Sequence, residues 1–319
     1  MQSETMNVIQ AAILGLVEGI TEYLPISSTG HLILVSELMG LGENPDQRAA
    51  VDTFNIVIQG GAILAVLGLY FPRVMQMCKG LIGKDTQGLA LALRIIIAFL
   101  PAAVLGVLLN DWIESKLFNT PAVLSALALG GVFMIAIDKW KFKKHKASDN
   151  TQIEQGKELH EITIAQALAI GFLQCIAMWP GTSRSMMTIA GGVLVGLSPK
   201  RAAEFSFLLG LPTLGGATVY SLYKTMNGDG PNMFEVIGWT PIIVGLVVAT
   251  ISAALAVRWL VSFLTKHGLA VFGYYRLVLT AVLGSAIAMG YVTLHRDSDG
   301  AVNPSAAEQL IDQVDGVLP

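Results

Sequence analysis

The chain has 319 residues, of which 53% are hydrophobic and only 13% are charged, with a mean hydropathy of +0.62 and a net charge of −3. A water-soluble domain carries about 25% charged residues, so this composition excludes one and leaves an integral membrane protein. No basic footprint points to a nucleic-acid partner, and Cys78 and Cys175 lie too far apart to suggest a disulfide framework.

The start of the chain lacks a basic region followed by a short apolar run and a cleavage site, so no removable signal peptide is expected. The first apolar region, about 7–40, is interrupted by Pro25 and by Ser27, Ser28 and Thr29, and it carries Glu18, Glu22 and His31. Each half is shorter than the roughly 20 residues a crossing needs, so the region reads as a re-entrant helix pair, entering and leaving on one side. Apolar windows at about 53–70, 89–109 and 119–137 are each predicted to cross. The lysine-rich segment 138–161 reads as a cytoplasmic loop that favours anionic lipid headgroups.

A second interrupted region, about 162–197, looks like a copy of the first. Gln10 aligns with Gln166, Gly15 with Gly171 and Tyr23 with Trp179. A slip of one residue at the proline then brings Ser27-Ser28-Thr29 onto Thr182-Ser183-Arg184. Three more crossings are expected at about 202–223, 238–260 and 270–292, followed by a polar tail, 293–319, with no assigned role. The expected fold is therefore all-α, with six transmembrane helices and two re-entrant hairpins. It forms one membrane domain, 1–292, built from two repeats, about 7–137 and 162–292.

Charge orients these elements. With the N-terminus outside, most basic residues fall in the inner loops: Arg73, Lys79 and Lys84, the lysines from Lys139 to Lys157, Lys200 and Arg201, and Arg258 and Lys266. This obeys the positive-inside rule. Three crossings then separate the hairpins, so the repeat is inverted and the two tips can meet near the midplane.

The polar residues at those tips define a candidate site. Glu18 and Glu22 are four apart and share a helix face. Pro25 opens a turn, and Ser27 or Ser28 is suited to cap the helix that follows. Pro180-Gly181 breaks the second copy, Thr182 or Ser183 caps the next helix, and Arg184 begins it, with Ser185 beside it. Two helix N-termini with free N–H groups and a guanidinium make an anion site suited to phosphate. Two glutamates beside a phosphate need either a divalent cation between them, Mg²⁺ or Ca²⁺, or a proton on one. Singly, each hydroxyl, His31 or a glutamate has an ordinary packing or ion-pair explanation; their clustering with Arg184 points to function. Arg94 and Arg276, near span ends, can snorkel and are given no part in the site. Glu204 either supports Arg184 or simply begins a helix.

The stretches Glu18-Gly19-Ile20-Thr21-Glu22-Tyr23-Leu24-Pro25-Ile26-Ser27-Ser28-Thr29-Gly30-His31 and Pro180-Gly181-Thr182-Ser183-Arg184-Ser185 resemble the signatures of the bacterial undecaprenyl-diphosphatases, also called bacitracin-resistance proteins. The likeness extends to Ala203-Glu204-Phe205-Ser206-Phe207; Met186 departs from it where a glycine is common. The resemblance implies an inner-membrane hydrolase that converts undecaprenyl diphosphate to the monophosphate and inorganic phosphate. Such an enzyme recycles the cell-wall lipid carrier and confers bacitracin resistance. A divalent cation and a site open to the periplasm are implied with it. Glu18, Glu22, Ser28, His31 and Arg184 are then the expected catalytic residues. Ser27, Thr29, Thr182, Ser183 and Ser185 are expected to bind substrate, and Glu18 and Glu22 the metal. The favoured nucleophile is Ser28 assisted by His31, with Glu22 the other group able to take its proton; His31 itself or water are the alternative attacking groups. A transporter or flippase for an anionic lipid or small anion is the competing class. Membrane lipids are the expected surroundings, and a homodimer is compatible with the chain.

Overall fold

A computed structural model describes residues 6–41, 45–117, 119–142, 158–227 and 233–289. The tail 293–319 and most of the lysine-rich loop lie outside the described residues. The described residues are mostly helical and include no strand, with six helices long and apolar enough to cross a membrane. The candidate spans are Gln47–Leu69, Thr86–Leu109, Thr120–Trp140, Pro199–Tyr220, Trp239–His267 and Ala270–Ala288. Their outer faces are apolar: Ile243, Val247, Ile251 and Leu255 form an exposed stripe at four-residue spacing. So continuous an apolar surface belongs against lipid, not water.

In chain order the elements are α1 (Val8–Thr21), α2 (Ser28–Leu38), α3 (Pro45–Leu69), α4 (Phe71–Leu81), α5 (Thr86–Leu117) and α6 (Thr120–Ile137). They continue with α7 (Ile164–Ile176), α8 (Arg184–Leu194), α9 (Pro199–Asn227), a single turn at Met233–Val236, α10 (Trp239–His267) and α11 (Ala270–Ala288). At 14 and 13 residues, α1 and α7 are each about 20 Å long, too short for some 30 Å of hydrocarbon.

The two interrupted regions match in local detail. α1 starts with a reciprocal cap between Asn7 and Gln10, and α7 with one between Thr163 and Gln166. Gln10 Nε2 donates to the carbonyl of Met39 at 3.3 Å, and Gln166 Nε2 to that of Val195 at 2.9 Å. In both cases the side chain satisfies a carbonyl left over where the second helix ends, which closes the pair into a hairpin. Ser27 and Ser183 take the same positive φ, 72° and 79°. Gln10 with Gln166, Tyr23 with Trp179 and Ser27 with Ser183 all keep one constant offset, so the expected slip at the proline does not occur. Pro25 instead corresponds to Gly181, because a positive-φ glycine makes the same break as a proline.

Packing follows this correspondence. α1 lies against α10 and α7 against α5; α3 packs on α10, and α9 on α5; α3 meets α9, and α6 meets α11. Exchanging the two halves maps these pairs onto one another. The closest approaches are made through glycine. A Cβ on Gly15 would collide with the Gly245 carbonyl of α10, and one on Gly171 with the Ala98 carbonyl of α5.

Residues 71–88, expected to be a loop, contain α4 instead. Val74 and Met77 pack on the core while Phe71 and Met75 stay exposed, so this short helix buries one side only. Arg73 from α4 pairs with Glu204 at 2.8 Å, Arg201 pairs with Glu204 at 2.9 Å, and Glu158 pairs with Arg201. Glu204 makes no direct bond to Arg184; its partners are Arg73 and Arg201, and through them it fastens α4 to the start of α9. Substituting Gly15 with leucine would force α1 off α10. We expect a loss of about 1–3 kcal/mol in stability, read as a lower melting temperature of the purified protein in detergent; an unchanged melting temperature would contradict this contact.

Candidate functional site

The site forms where the turn of each hairpin meets the other. Ser27 and Ser183 are the only non-glycine residues at positive φ among the described residues. Such a backbone costs roughly 1–3 kcal/mol per residue and persists only where its surroundings hold it. Several bonds do so here. His31 Nδ1–H donates to the Ser27 carbonyl at 2.7 Å, and Ser185 Oγ donates to the Leu24 carbonyl at 2.9 Å, tying one turn to the other. Ser183 caps α8 by accepting from Met186 N, whereas Ser27 makes no side-chain cap on α2. The first N–H groups of α2 therefore remain available to an anion.

Glu22, just past the end of α1, is buried and joins two partners. Its Oε2 accepts from Ser28 Oγ at 2.7 Å and its Oε1 from Arg184 Nη2 at 2.8 Å. The remaining contacts of Arg184 fix its guanidinium: Nη1 donates to the Ser206 carbonyl at 3.0 Å, and the group lies 5.5 Å from the Tyr23 ring centre. Gly210 on α9 leaves the space the guanidinium fills, since a Cβ there would approach it to 3.1 Å. Arg184 Nε is buried without a protein partner.

These groups open onto a cavity of about 130 Å³, against the ~10–15 Å³ needed for one water. Glu22, Ser27, Ser28, Thr29, Ser183 and Arg184 line it, together with Gln59 of α3. The expected residues thus divide into two sets. Ser27, Ser28, Thr29, Ser183, Arg184 and Glu22 share the cavity. Glu18, His31, Thr182 and Ser185 stand behind it. Glu18 is fully buried one turn from Glu22, and neither of its oxygens has a protein partner. His31 is turned away from Ser28. With Nδ1–H on a carbonyl, its Nε2 accepts from Tyr275 O–H of α11 at 2.7 Å, and the two rings are parallel. The hydrogen-bond partner of Ser28 is Glu22, not His31.

Arg276 is the main correction to the sequence reading. It does not snorkel: it is fully buried, and it donates to the carbonyls of Leu127, Ala126, Gly181 and Thr182. It therefore binds the turn before Arg184 to α6. The neighbouring Tyr275 holds His31, so adjacent residues of α11 secure both turns. Arg94 likewise bonds backbone, donating to the carbonyls of Ile162 and Ala90. Gln59, Tyr275 and Arg276 were the residues missed. A buried arginine inside an apolar span was the available signal for Arg276; a lone glutamine or tyrosine carries none.

Fold and site together define a multi-pass α-helical membrane protein with a polar pocket, lined by Glu22 and Arg184, between two half-length helix pairs. The sequence profile of the bacitracin resistance protein BacA family matches residues 11–282. The chain belongs to that family. Its relatives include an undecaprenyl-diphosphatase of Sorangium cellulosum, 43% identical over 276 residues, covering 86% of this chain and 84% of the relative. One from Sulfurihydrogenibium sp. is 44% identical over 274 residues, covering 86% and 97%, and one from Acinetobacter baumannii is 42% identical over 280 residues, covering 88% and 96%.

Because His31 reaches the site through the Ser27 backbone, its Tyr275 bond is expected to matter to turnover. Tyr275→Phe removes one hydrogen bond, about 1 kcal/mol, or roughly fivefold in kcat with KM little changed. Steady-state kinetics on the purified variant checks this; wild-type kcat would exclude a positioning role for the pair.

Proposed function

We propose that this protein hydrolyses undecaprenyl diphosphate to undecaprenyl phosphate and inorganic phosphate, recycling the carrier lipid of cell-wall synthesis and thereby conferring bacitracin resistance. One observation carries the reading: Ser28 Oγ donates to Glu22 while Arg184 holds the other oxygen of the same carboxylate. A hydroxyl, a base and a cation thus converge on one cavity. Family membership and the undecaprenyl-diphosphatase names of the relatives support the substrate.

In this proposal the isoprenoid tail stays in lipid and the diphosphate enters the cavity. Arg184, Thr29, Ser183 and the free N–H groups of α2 bind its oxygens. Arg184 can exchange Glu22 for phosphate, which frees Glu22 Oε1. Ser28 Oγ attacks the terminal phosphorus as its proton passes to Glu22, and the bond to the bridging oxygen breaks. Undecaprenyl phosphate leaves, and water then cleaves the serine phosphate, releasing inorganic phosphate. Most of the rate comes from neutralising charge on the transferred group.

A divalent cation, Mg²⁺ or Ca²⁺, fits the chemistry of the residues in part. Glu22 faces the cavity and Glu18 has two unused oxygens behind it, but no cluster of three or more His, Cys, Asp or Glu exists among the described residues. Glu22 and Glu18 would hold the ion only together with substrate oxygens, as Mg²⁺ commonly is held, and it would supply further charge neutralisation. We place the two hairpins as re-entrant, oppositely inserted elements of an inverted repeat in the bacterial inner membrane, with the cavity facing the periplasm. The basic inner loops and the two half-length helix pairs support this placement.

Phosphate release from a short-chain prenyl diphosphate by detergent-purified protein tests the activity, with wild type, Glu22→Gln and Arg184→Ala side by side. Wild type should release phosphate, and each variant should lose about 10²–10³-fold, the scale of one electrostatic group at a phosphoryl or acyl centre. No release by wild type, with an active control enzyme, would favour transport of an anionic lipid instead.

A further inference from the structure

The span of α3 carries Arg48, Asp52, Asn55 and Gln59, spaced by four, three and four residues. That spacing lays them along one face of the helix. The stripe adjoins the core face formed by Val51, Phe54, Ile58 and Ala62. One end, Gln59, is on the cavity wall; the other, Arg48, is exposed. About 16 Å of helix separates them. Starting at the cavity with Ser28 and Thr29, α2 runs away from it while α3 runs toward it, so polar positions on the two helices recede from the cavity together. Ser36 lies two turns from Ser28 on α2 and is buried.

Two atoms on these helices, Ser36 Oγ of α2 and Asn55 Oδ1 of α3, are buried with no protein partner. The others in that condition belong to Glu18, Gln174 and Arg184. Glu18 and Arg184 belong to the site, and Gln174 occupies in the second hairpin the position Glu18 has in the first. Among the described residues, unpartnered buried polar side-chain atoms thus fall about the hairpin tips and on α2 and α3. In hydrocarbon such atoms are costly, and ordered water is what satisfies them. The hydrolysis itself demands a polar exit. The lipid product returns to the bilayer by its tail, but inorganic phosphate cannot cross hydrocarbon.

We propose that a hydrated path runs between α2 and α3, from the cavity to the membrane surface at the N-terminal end of α3, and that inorganic phosphate leaves along it. The proposal rests on the hydrolase reading above. Gln59, Asn55 and Ser36 are neutral and bind an anion weakly enough to let it pass; Asp52, the one carboxylate on the stripe, lies one turn from Arg48, which offers a cation at the mouth.

The test uses full-length protein in membranes, with Cys78→Ser and Cys175→Ser in a background that retains phosphate release. Asn55→Cys is compared with Leu64→Cys, half a turn round the same helix and exposed on its outer face. Each is treated with a cationic, membrane-impermeant methanethiosulfonate, which reacts with thiolate in water. We expect Asn55→Cys to react about tenfold faster or more, and excess inorganic phosphate to slow it. Equal rates at the two positions would overturn the path, and labelling indifferent to phosphate would overturn phosphate as its passenger. Labelling reads water access and not turnover, so failure of the hydrolase reading shows separately, as absent phosphate release from the background protein.

Discussion

The contact between Glu22 and Arg184 is the constraint on which the rest of the structure turns. Each residue sits at a break between short helices; Glu22 is buried and Arg184 largely so. Alone, either charge at this depth costs several kcal/mol; removing one partner of such a pair typically costs ~3–5 kcal/mol, because the other is stranded. The charges are tolerable only while the two turns touch. The supporting features serve that contact: the strained Ser27 and Ser183, the Ser185 bond to Leu24, and Arg276 spread over four carbonyls.

The two hairpins have divided the chemistry between them. At one constant offset Ser28 corresponds to Arg184, Glu22 to Met178 and Glu18 to Gln174. The first copy supplies hydroxyl and carboxylates, the second the guanidinium. The scaffold positions stayed alike: the caps at Asn7 and Thr163, the glutamines that close each hairpin, and the glycines that let α1 and α7 approach their partners. Backbone geometry constrains those positions equally in both copies. The side chains facing the cavity differ between the two hairpins, and that difference makes one joint site out of two similar halves.

This explains how much could be read from the chain. Span positions and the two breaks were legible because a long apolar run, a proline and a serine cluster each act locally. The cavity set was largely legible too, since a carboxylate or guanidinium inside an apolar segment is conspicuous. What failed was direction. His31 lies three residues from Ser28 on α2, yet its ring is taken by the Ser27 carbonyl and by Tyr275, distant in sequence. Arg276 was judged by its nearness to a span end, which says nothing of the four carbonyls gathered around it. The register slip at the proline was an artefact of matching Ser-Ser-Thr by chemistry, when the conserved quantity is backbone shape. α4 was lost because three basic residues in 71–88 suggested a loop, although they occupy one side of an amphipathic helix and its margin.

α9 deserves the final step, because it connects parts of the molecule that the two turns alone do not. Near its start, Glu204 is fastened by Arg73 and Arg201. Two residues on, the Ser206 carbonyl accepts from Arg184 and its hydroxyl bonds Thr188 of α8 at 2.6 Å. One turn further, Gly210 makes room for the guanidinium, and another turn brings Leu214 to the cavity wall. Phe207 meets the edge of Tyr23, the ring beneath Arg184. These contacts all depend on register. Sliding α9 by a single turn would bring Ser206 into the place of Gly210, or Leu214 in its stead, and close the space Arg184 occupies. The ion-pair cluster at its start therefore fixes more than an end of a helix: through the register of α9 it sets the position of the cation on which the pocket depends.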